Sequence, residues 1–195
     1  MLIALGLLVS STAFADWKEE RKWFDGAHDG FVKTYGGSPE LVMLEKDLDG
    51  KPVDPDEVAR RPGSYLIGVT CAQVVEDLRP YAIKDGEPNQ AVLDALAGVE
   101  TITCQYAHYF KGRDKALDVG STSLPAGNPL DKNEPASDCK LIFEPASGGK
   151  ITAIHIVMNR HFYDMSVRGQ ILADAIAKRF PDADKKPAKR KPKGR

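Results

Sequence analysis

The sequence has no short motif that by itself identifies a reaction. It contains no Gly-x-Ser-x-Gly segment, no glycine-rich loop between a strand and a helix, and no Cys-x-x-Cys pair. These absences remove the usual signatures of an α/β-hydrolase nucleophile, a phosphate-binding loop and a zinc site built from closely spaced cysteines. The chain also has no apolar run near the ~20 residues that a permanent transmembrane helix needs.

The first fifteen residues have the pattern of a cleaved secretory signal. Residues 2–9 are uniformly apolar, short polar residues follow, and Ala13 and Ala15 are the small residues that a signal peptidase accepts. We therefore expect cleavage between Ala15 and Asp16 and a secreted or periplasmic mature protein. No Lys or Arg precedes the apolar run, so a buried N-terminal strand or helix is the alternative interpretation.

The last fifteen residues differ from the rest of the chain in charge. Residues 181–195 hold seven Lys or Arg and two Asp, out of 27 basic and 28 acidic residues in all, which leaves 20 basic and 26 acidic side chains elsewhere. Like charges, three prolines and a lack of large apolar residues predict a disordered basic tail. Such a tail allows peripheral contact with an acidic membrane or wall polymer, although a purely solubilising role is the simpler interpretation.

Residues 16–180 have the length and composition of a single α+β domain. Apolar patterns predict N-terminal helices, a four- to five-stranded mainly antiparallel sheet and a closing C-terminal helix. The predicted helices cover residues 16–35, 38–46, 70–79, 90–97 and 164–180, with a further helix start at Asp54 and Pro55, and the predicted strands cover residues 64–69, 101–110, 115–119, 139–144 and 150–158. The apolar stripe of the first helix comprises Trp17, Phe24, Ala27, His28, Phe31 and Tyr35, and the last helix is expected to pack Met165, Leu172, Ile176 and Phe180 inward. The strand over 101–110 alternates, with Ile102, Cys104, Tyr106, His108 and Phe110 on one face and Thr101, Thr103, Gln105 and Tyr109 on the other. The last two strands are expected to form a hairpin.

The chain has three cysteines, Cys71, Cys104 and Cys139. In an oxidising compartment an odd number indicates one bridge and one spare thiol. Cys71 begins a predicted helix that faces the core, and Cys104 lies on the more apolar face of a predicted strand, which favours a Cys71–Cys104 disulfide. The rival pairing is Cys104 with Cys139, if their two strands are neighbours.

A histidine and carboxylate group lies near the end of the last predicted strand. His155, His161 and Asp164 could converge at a strand-to-helix corner and ligate zinc with one position open. Their spacing matches no ligand pattern, so a backbone-bonded His155 and a His161 at a helix entry are the preferred interpretation. Cys104 and His108 lie ~13 Å apart along one predicted strand, which is too far for a thiolate–imidazole pair.

The acidic segment over residues 45–56 weakly matches a calcium-binding loop, with Gly50 at the turn position. Its first and last ligand positions carry the wrong carboxylates for the pattern, and Pro52 stands where an apolar strand residue belongs. The segment is therefore predicted to be an ordinary acidic turn.

The leading hypothesis from these patterns is an exported, non-catalytic α+β domain that binds a protein partner or an anionic envelope component. No cofactor and no specific nucleic acid is expected. The hypothesis depends on the export signal, the acidic body with its basic tail, and the lack of a convergent catalytic set. The competing hypothesis is a secreted or periplasmic hydrolase that uses His155, His161 and Asp164 or the long loop over residues 120–138. The sequence leaves the oligomeric state open.

Overall fold

A computed structural model describes three stretches of the chain, residues 16–59, 66–107 and 139–181. The predicted signal at residues 1–15, the long loop at 120–138 and the basic tail after Pro181 lie outside the described residues. The predicted strand at 115–119 and His108 also lie outside them.

The chain has the predicted α+β fold, with helices before and after a four-stranded sheet. In chain order the elements are α1 (Trp17–Asp25), α2 (His28–Tyr35), β1 (Glu40–Leu44), α3 (Pro55–Ala59), α4 (Ile67–Glu76), a 3-10 helix (Arg79–Ala82), β2 (Ile83–Lys84), β3 (Glu87–Pro88), α5 (Gln90–Leu96), β4 (Thr101–Tyr106), β5 (Lys140–Glu144), β6 (Ala153–Met158), a further 3-10 helix (Arg160–Tyr163) and α6 (Met165–Arg179). Strands β2 and β3 form a separate small hairpin.

The four-stranded sheet has the order β1-β4-β6-β5 and is mixed, so the prediction of a mainly antiparallel sheet is wrong. Strands β1 and β6 both run parallel to β4, and only β5 is antiparallel, to β6. The prediction assumed that strands adjacent in sequence pair with one another. Instead β6 lies between β4 and β5, and the alternation within a strand carries no information about such an order. The predicted hairpin of the last two strands is confirmed, with Ile142 opposite His155.

Strand β1 lies in the segment that was predicted to be a helix over residues 38–46. Its short apolar run, from Leu41 to Leu44, is compatible with either a buried helix or a buried strand. The choice is made by pairing with β4, in a ladder from Glu40 opposite Thr101 to Leu44 opposite Gln105. Local helix propensity is a weak effect that such tertiary pairing overrides.

The single helix predicted over residues 16–35 forms as two helices, α1 and α2, separated by Gly26 and Ala27. Asp16 caps α1, because its Oδ1 accepts a hydrogen bond from the N–H of Glu19 at 2.8 Å. Gly36 ends α2 with a φ of 80°, a conformation that favours glycine. Four residues of the predicted apolar stripe are buried across the break: Phe24, Ala27, Phe31 and Tyr35. The other two, Trp17 and His28, are only partly buried.

Helix α4 begins at Ile67, three residues before the start predicted at Thr70, and its first turn replaces the end of a predicted strand. The Thr70 hydroxyl donates to the carbonyl of Leu66 instead of capping the helix. Leu66, at the N-cap position, has no side chain that can cap α4. The cap comes from α1, where Glu20 Oε2 accepts the N–H of Gly68 at 2.6 Å.

Helix α6 closes the domain, as predicted, with a buried inward face: Leu172, Ile176 and Phe180. Met165 was predicted to face inward but is 76% exposed, and the buried position one turn later belongs to Arg168. The Arg168 side chain fastens α6 to the end of α4, because its Nε donates to Asp77 Oδ2 at 2.5 Å. Its Nη1 also donates to the carbonyl of Phe162 at 2.8 Å.

A disulfide joins Cys71 of α4 to Cys104 of β4, with the two Cα atoms 6.1 Å apart. This is the pairing that the sequence favoured. The rival pairing of Cys104 with Cys139 is not formed, because β6 separates their strands. Cys139 is buried, and its thiol donates to Asn159 Oδ1 at 3.0 Å. Over the residues that the structure describes, no helix combines the length and the apolar character needed to span a membrane.

The Glu20 side chain is fully buried between α1 and α4. Burial raises its pKa from the ordinary 4.5 to about 7, against the opposing effect of the hydrogen bonds from the N–H groups of Gly68 and Ile67. The folded protein therefore holds this proton more tightly than the unfolded chain does. The resulting stabilisation is complete below pH 4.5 and is lost as the pH rises through about 7.

Replacement Glu20→Gln is expected to remove this pH dependence, because an amide stays neutral and its oxygen can still accept from α4. The wild-type free energy of unfolding should fall by on the order of 2–3 kcal/mol between pH 4.5 and 8, relative to the variant. Urea titrations at each pH measure it, with Glu19→Gln, the neighbouring and more exposed carboxylate, as the control. Parallel curves for wild type and Glu20→Gln would contradict the assignment.

Candidate binding surface on the open face of the sheet

The register of the sheet places twelve side chains on one face in three cross-strand rows, each running from β1 through β4 and β6 to β5. The first row is Glu40, Thr101, Ala153 and Glu144; the second is Val42, Thr103, His155 and Ile142; the third is Leu44, Gln105, Val157 and Lys140. We call these twelve residues the open face.

The two faces of the sheet differ strongly in burial. The face opposite the open face forms the core with the helices, and its central residues are fully buried: Ile102, Cys104, Ile154 and Ile156. On the open face only Val157 is buried, while Ile142 is 40% and Leu44 is 36% exposed. The described elements therefore leave this face accessible, with apolar side chains exposed at both of its edges.

A hydrogen-bonded row of three side chains crosses the centre of the open face. His155 Nδ1 lies 2.7 Å from Thr103 Oγ1, and His155 Nε2 lies 3.1 Å from Glu144 Oε1. An ionised carboxylate only accepts hydrogen bonds, so in the neutral imidazole Nε2 carries the hydrogen and Nδ1 accepts from the threonine hydroxyl. The His155 side chain thus bridges Thr103 of β4 and Glu144 of β5.

The acidic turn after β1 is attached to one end of the open face. Asp47 Oδ1 accepts the N–H groups of Asp49 at 3.0 Å and Lys51 at 2.8 Å, which is the geometry of an Asx turn. The amide of Gln105 donates to the carbonyls of Lys46 and Asp47, both at 3.1 Å. The segment that weakly resembled a calcium loop thus serves as a structural turn, as predicted.

His155 and Asp164, two residues of the possible histidine–carboxylate site, have separate surroundings. His155 contacts Thr103 and Glu144, whereas Asp164 caps α6 by accepting the N–H of Ser166 at 2.8 Å. Hydrogen bonds from the Ser166 hydroxyl and backbone lower the pKa of Asp164. The side chain of His161 lies outside the described residues. In the described part of the chain no group of three His, Cys, Asp or Glu side chains could hold a metal ion.

The Thr103, His155 and Glu144 side chains supply a hydroxyl, a base and a carboxylate that orients the base, which are three parts of an acyl-transfer site. Such chemistry also needs backbone N–H donors aimed at the developing oxyanion. Strand β4 is paired on both sides, by β1 and by β6, so the N–H groups next to Thr103 are committed to the sheet. The N–H groups next to Thr103 therefore do not form an oxyanion hole.

A groove of about 600 Å³ lies among the helices, next to the exposed Ile83. Its charged residues, Glu76 and Arg79, form an ion pair with each other at 2.7 Å. The pairing partly neutralises both charges, which gives the groove a weaker claim to function than the open face.

The fold and the open face together define the class of the protein: an α+β domain with a mixed four-stranded sheet that is covered by helices on one side and left accessible on the other by the residues that the structure describes. No protein-family model, curated protein or solved structure matches the chain. The function therefore has to follow from the chain's own residues.

Of the three hydrogen-bonded side chains Thr103, His155 and Glu144, sequence reasoning identified only His155 as a candidate site residue. The alternation of β4 did place Thr101, Thr103 and Gln105 on one face, and their partial exposure confirms that pattern. Glu144 and Ile142 carried no comparable signal, because their proximity to His155 depends on the register of the hairpin. The polar face of β4, in a chain that also contains the β5–β6 hairpin, is the sequence signal that could have indicated the open face.

Proposed function

We propose that this chain is an exported, non-catalytic domain that binds a protein partner through the open face. The observation that supports the proposal is a sheet face left accessible by the described elements, on which apolar side chains at both edges flank the hydrogen-bonded side chains of Thr103, His155 and Glu144. Protein interfaces combine accessible apolar side chains with hydrogen-bonding polar groups, and the open face offers both. Export is supported by the signal-like residues 1–15 and by a disulfide, which persists in oxidising compartments.

The composition of the open face favours a protein over other ligands. Its charges are Glu40 and Glu144 against a single lysine, Lys140, which argues against an anionic polymer at this surface. None of its twelve residues is Phe, Tyr or Trp, whereas surfaces for single-stranded nucleic acid combine basic side chains with such aromatic stacking platforms. Val42, Leu44 and Ile142 instead supply apolar area for a partner's side chains.

The basic residues 181–195 support a second, weaker contact with an anionic envelope component, such as acidic lipid headgroups. Each Lys or Arg near such a surface contributes about 1 kcal/mol before screening by salt. We include this contact as peripheral, separate from the protein partner, and without specificity for nucleic acid.

A photo-crosslinking amino acid at position 44 tests the open face, with position 83 as the matched control. Leu44 and Ile83 are both exposed strand residues, but Ile83 lies on the β2–β3 hairpin away from the open face. In the native host we expect one discrete adduct from position 44 and none from position 83. The partner captured in that adduct is identified and purified without the crosslink, and its affinity for this chain is measured.

Replacement Leu44→Asp should weaken binding of the purified partner at least tenfold, because an interfacial apolar contact becomes a buried charge. Ile83→Asp should change the affinity less than twofold. Equal adducts at both positions, or an unchanged affinity for Leu44→Asp, would refute the proposed surface. Ester hydrolysis by the wild type that is lost in both Thr103→Val and His155→Ala would instead support the competing hydrolase.

A further inference from the structure

Strand β5 is an edge of the sheet, with β6 on one side and no described strand on the other. The outer edge of such a strand presents unpaired N–H and C=O groups that can pair with another strand. Shallow grooves between β5 and α6 border the strand, lined in part by Leu141, Ala175 and Lys178. Among the described elements, none occupies the hydrogen-bonding edge of β5.

The five residues of β5 have a charge at each end and an isoleucine in the middle. Lys140, Ile142 and Glu144 are exposed on the open face, while Leu141 and Phe143 are buried beneath them. Along its accessible side the strand therefore carries a positive charge at Lys140, an apolar side chain at Ile142 and a negative charge at Glu144. This order is self-complementary when the strand is reversed.

We infer that β5 pairs antiparallel with β5 of a second copy of this chain, about a two-fold axis at Ile142. In that register Lys140 lies opposite Glu144 of the partner subunit, and the same ion pair forms again on the other side of the axis. The two isoleucines meet at the centre. One surface patch on both subunits is the arrangement of the commonest protein dimers.

Charge selects this pairing over its alternatives. A parallel pairing in register would place Lys140 against Lys140 of the partner subunit, and like charges opposite one another destabilise a sheet. The other sheet edge, β1, has Glu40 at one end and Leu44 at the other, so its antiparallel self-pairing would gain no ion pair. Glu144 can serve the partner as well as His155, because only its Oε1 contacts the imidazole.

The dimer would join two four-stranded sheets into one of eight strands and place the two open faces side by side. A five-residue edge buries less than the ~1,200 Å² of a typical stable interface, so association should depend on concentration in the micromolar range. The dimer shares Ile142 and Glu144 with the open face, but it forms through the outer edge of β5, and the test of the protein partner uses Leu44 on the opposite edge of the sheet.

Charge reversal tests the dimer by sedimentation velocity of the purified full chain between about 1 and 200 μM. The wild type should shift from monomer to dimer over this range. Lys140→Glu and Glu144→Lys should each remain monomeric, because both cross-axis pairs become repulsive. Mixing the two variants, or combining both changes in one chain, should restore dimers, because opposite charges then face each other again.

Lys33→Glu makes the same change of charge at an exposed site on α2 and should dimerise like the wild type. Circular dichroism verifies that each variant is folded. A wild type that stays monomeric at 200 μM, a dimer that persists in Lys140→Glu, or a mixture of the two variants that fails to associate would each overturn the inference.

Discussion

Replacement Gly68→Ala is expected to destabilise the domain by about 2–4 kcal/mol, because α1 and α4 touch backbone to backbone at this residue. A β-carbon at position 68 would overlap the carbonyl oxygen of Glu20 and would lie 2.8 Å from its carbonyl carbon and 3.1 Å from its Cα. These are main-chain atoms that no side-chain rotation can move. The two helices would have to separate, which would also break the hydrogen bond from the N–H of Gly68 to Glu20.

The matched control is Gly169→Ala, in the middle of α6. A β-carbon there has no heavy atom within 4 Å, so alanine should stabilise the helix by about 0.5–1 kcal/mol. Urea unfolding followed by circular dichroism measures both changes. A Gly68→Ala variant whose free energy of unfolding equals or exceeds that of the wild type would show that α1 and α4 are not in contact at Gly68.

Removal of the Cys71–Cys104 disulfide is expected to cost about 3–4 kcal/mol in the free energy of unfolding. The bridge closes a sequence separation of 33 residues between two fully buried cysteines, so its loss releases a long loop in the unfolded chain. The double variant Cys71→Ala/Cys104→Ala should therefore melt ~10 °C below the wild type. The measurement is thermal unfolding with and without a reductant.

Cys139→Ala separates the effect of the disulfide from that of cysteine chemistry in general. This variant keeps the bridge, so a reductant should lower its melting temperature as much as it lowers that of the wild type. The double variant should not respond to the reductant. A wild type whose melting temperature is the same in both conditions would argue against a stabilising Cys71–Cys104 bridge.

The elements that the sequence predicted well are those whose signals are local. The alternation of β4 predicted the buried side chains of Ile102, Cys104 and Tyr106, because a strand has a period of two residues. Asp16 and Asp164 stand next to the N–H groups that they cap, so these helix starts can be read from a few residues. The β5–β6 hairpin was visible for the same reason.

The candidate surface was only partly predictable. His155 was singled out from its position near a strand end, and the preferred prediction gave it backbone partners, whereas its described contacts are the side chains of Thr103 and Glu144. Thr103, its actual neighbour, is 52 residues away in sequence and belongs to a strand that pairs with β6 in parallel. No local pattern indicates which strands are neighbours. The contacts among Thr103, His155 and Glu144 therefore could not be predicted from the sequence.

The sequence by itself determined the α+β class, the alternation of the later strands, the closing helix and which cysteine pair was favoured for the disulfide. Tertiary structure alone decided that β1 is a strand, that the sheet is mixed, and that Glu20 caps a helix 48 residues further along the chain. The physical reason is range. Propensity, capping and periodicity act over a few residues, whereas strand order and contacts between helices depend on which surfaces can be buried together once the whole chain is folded.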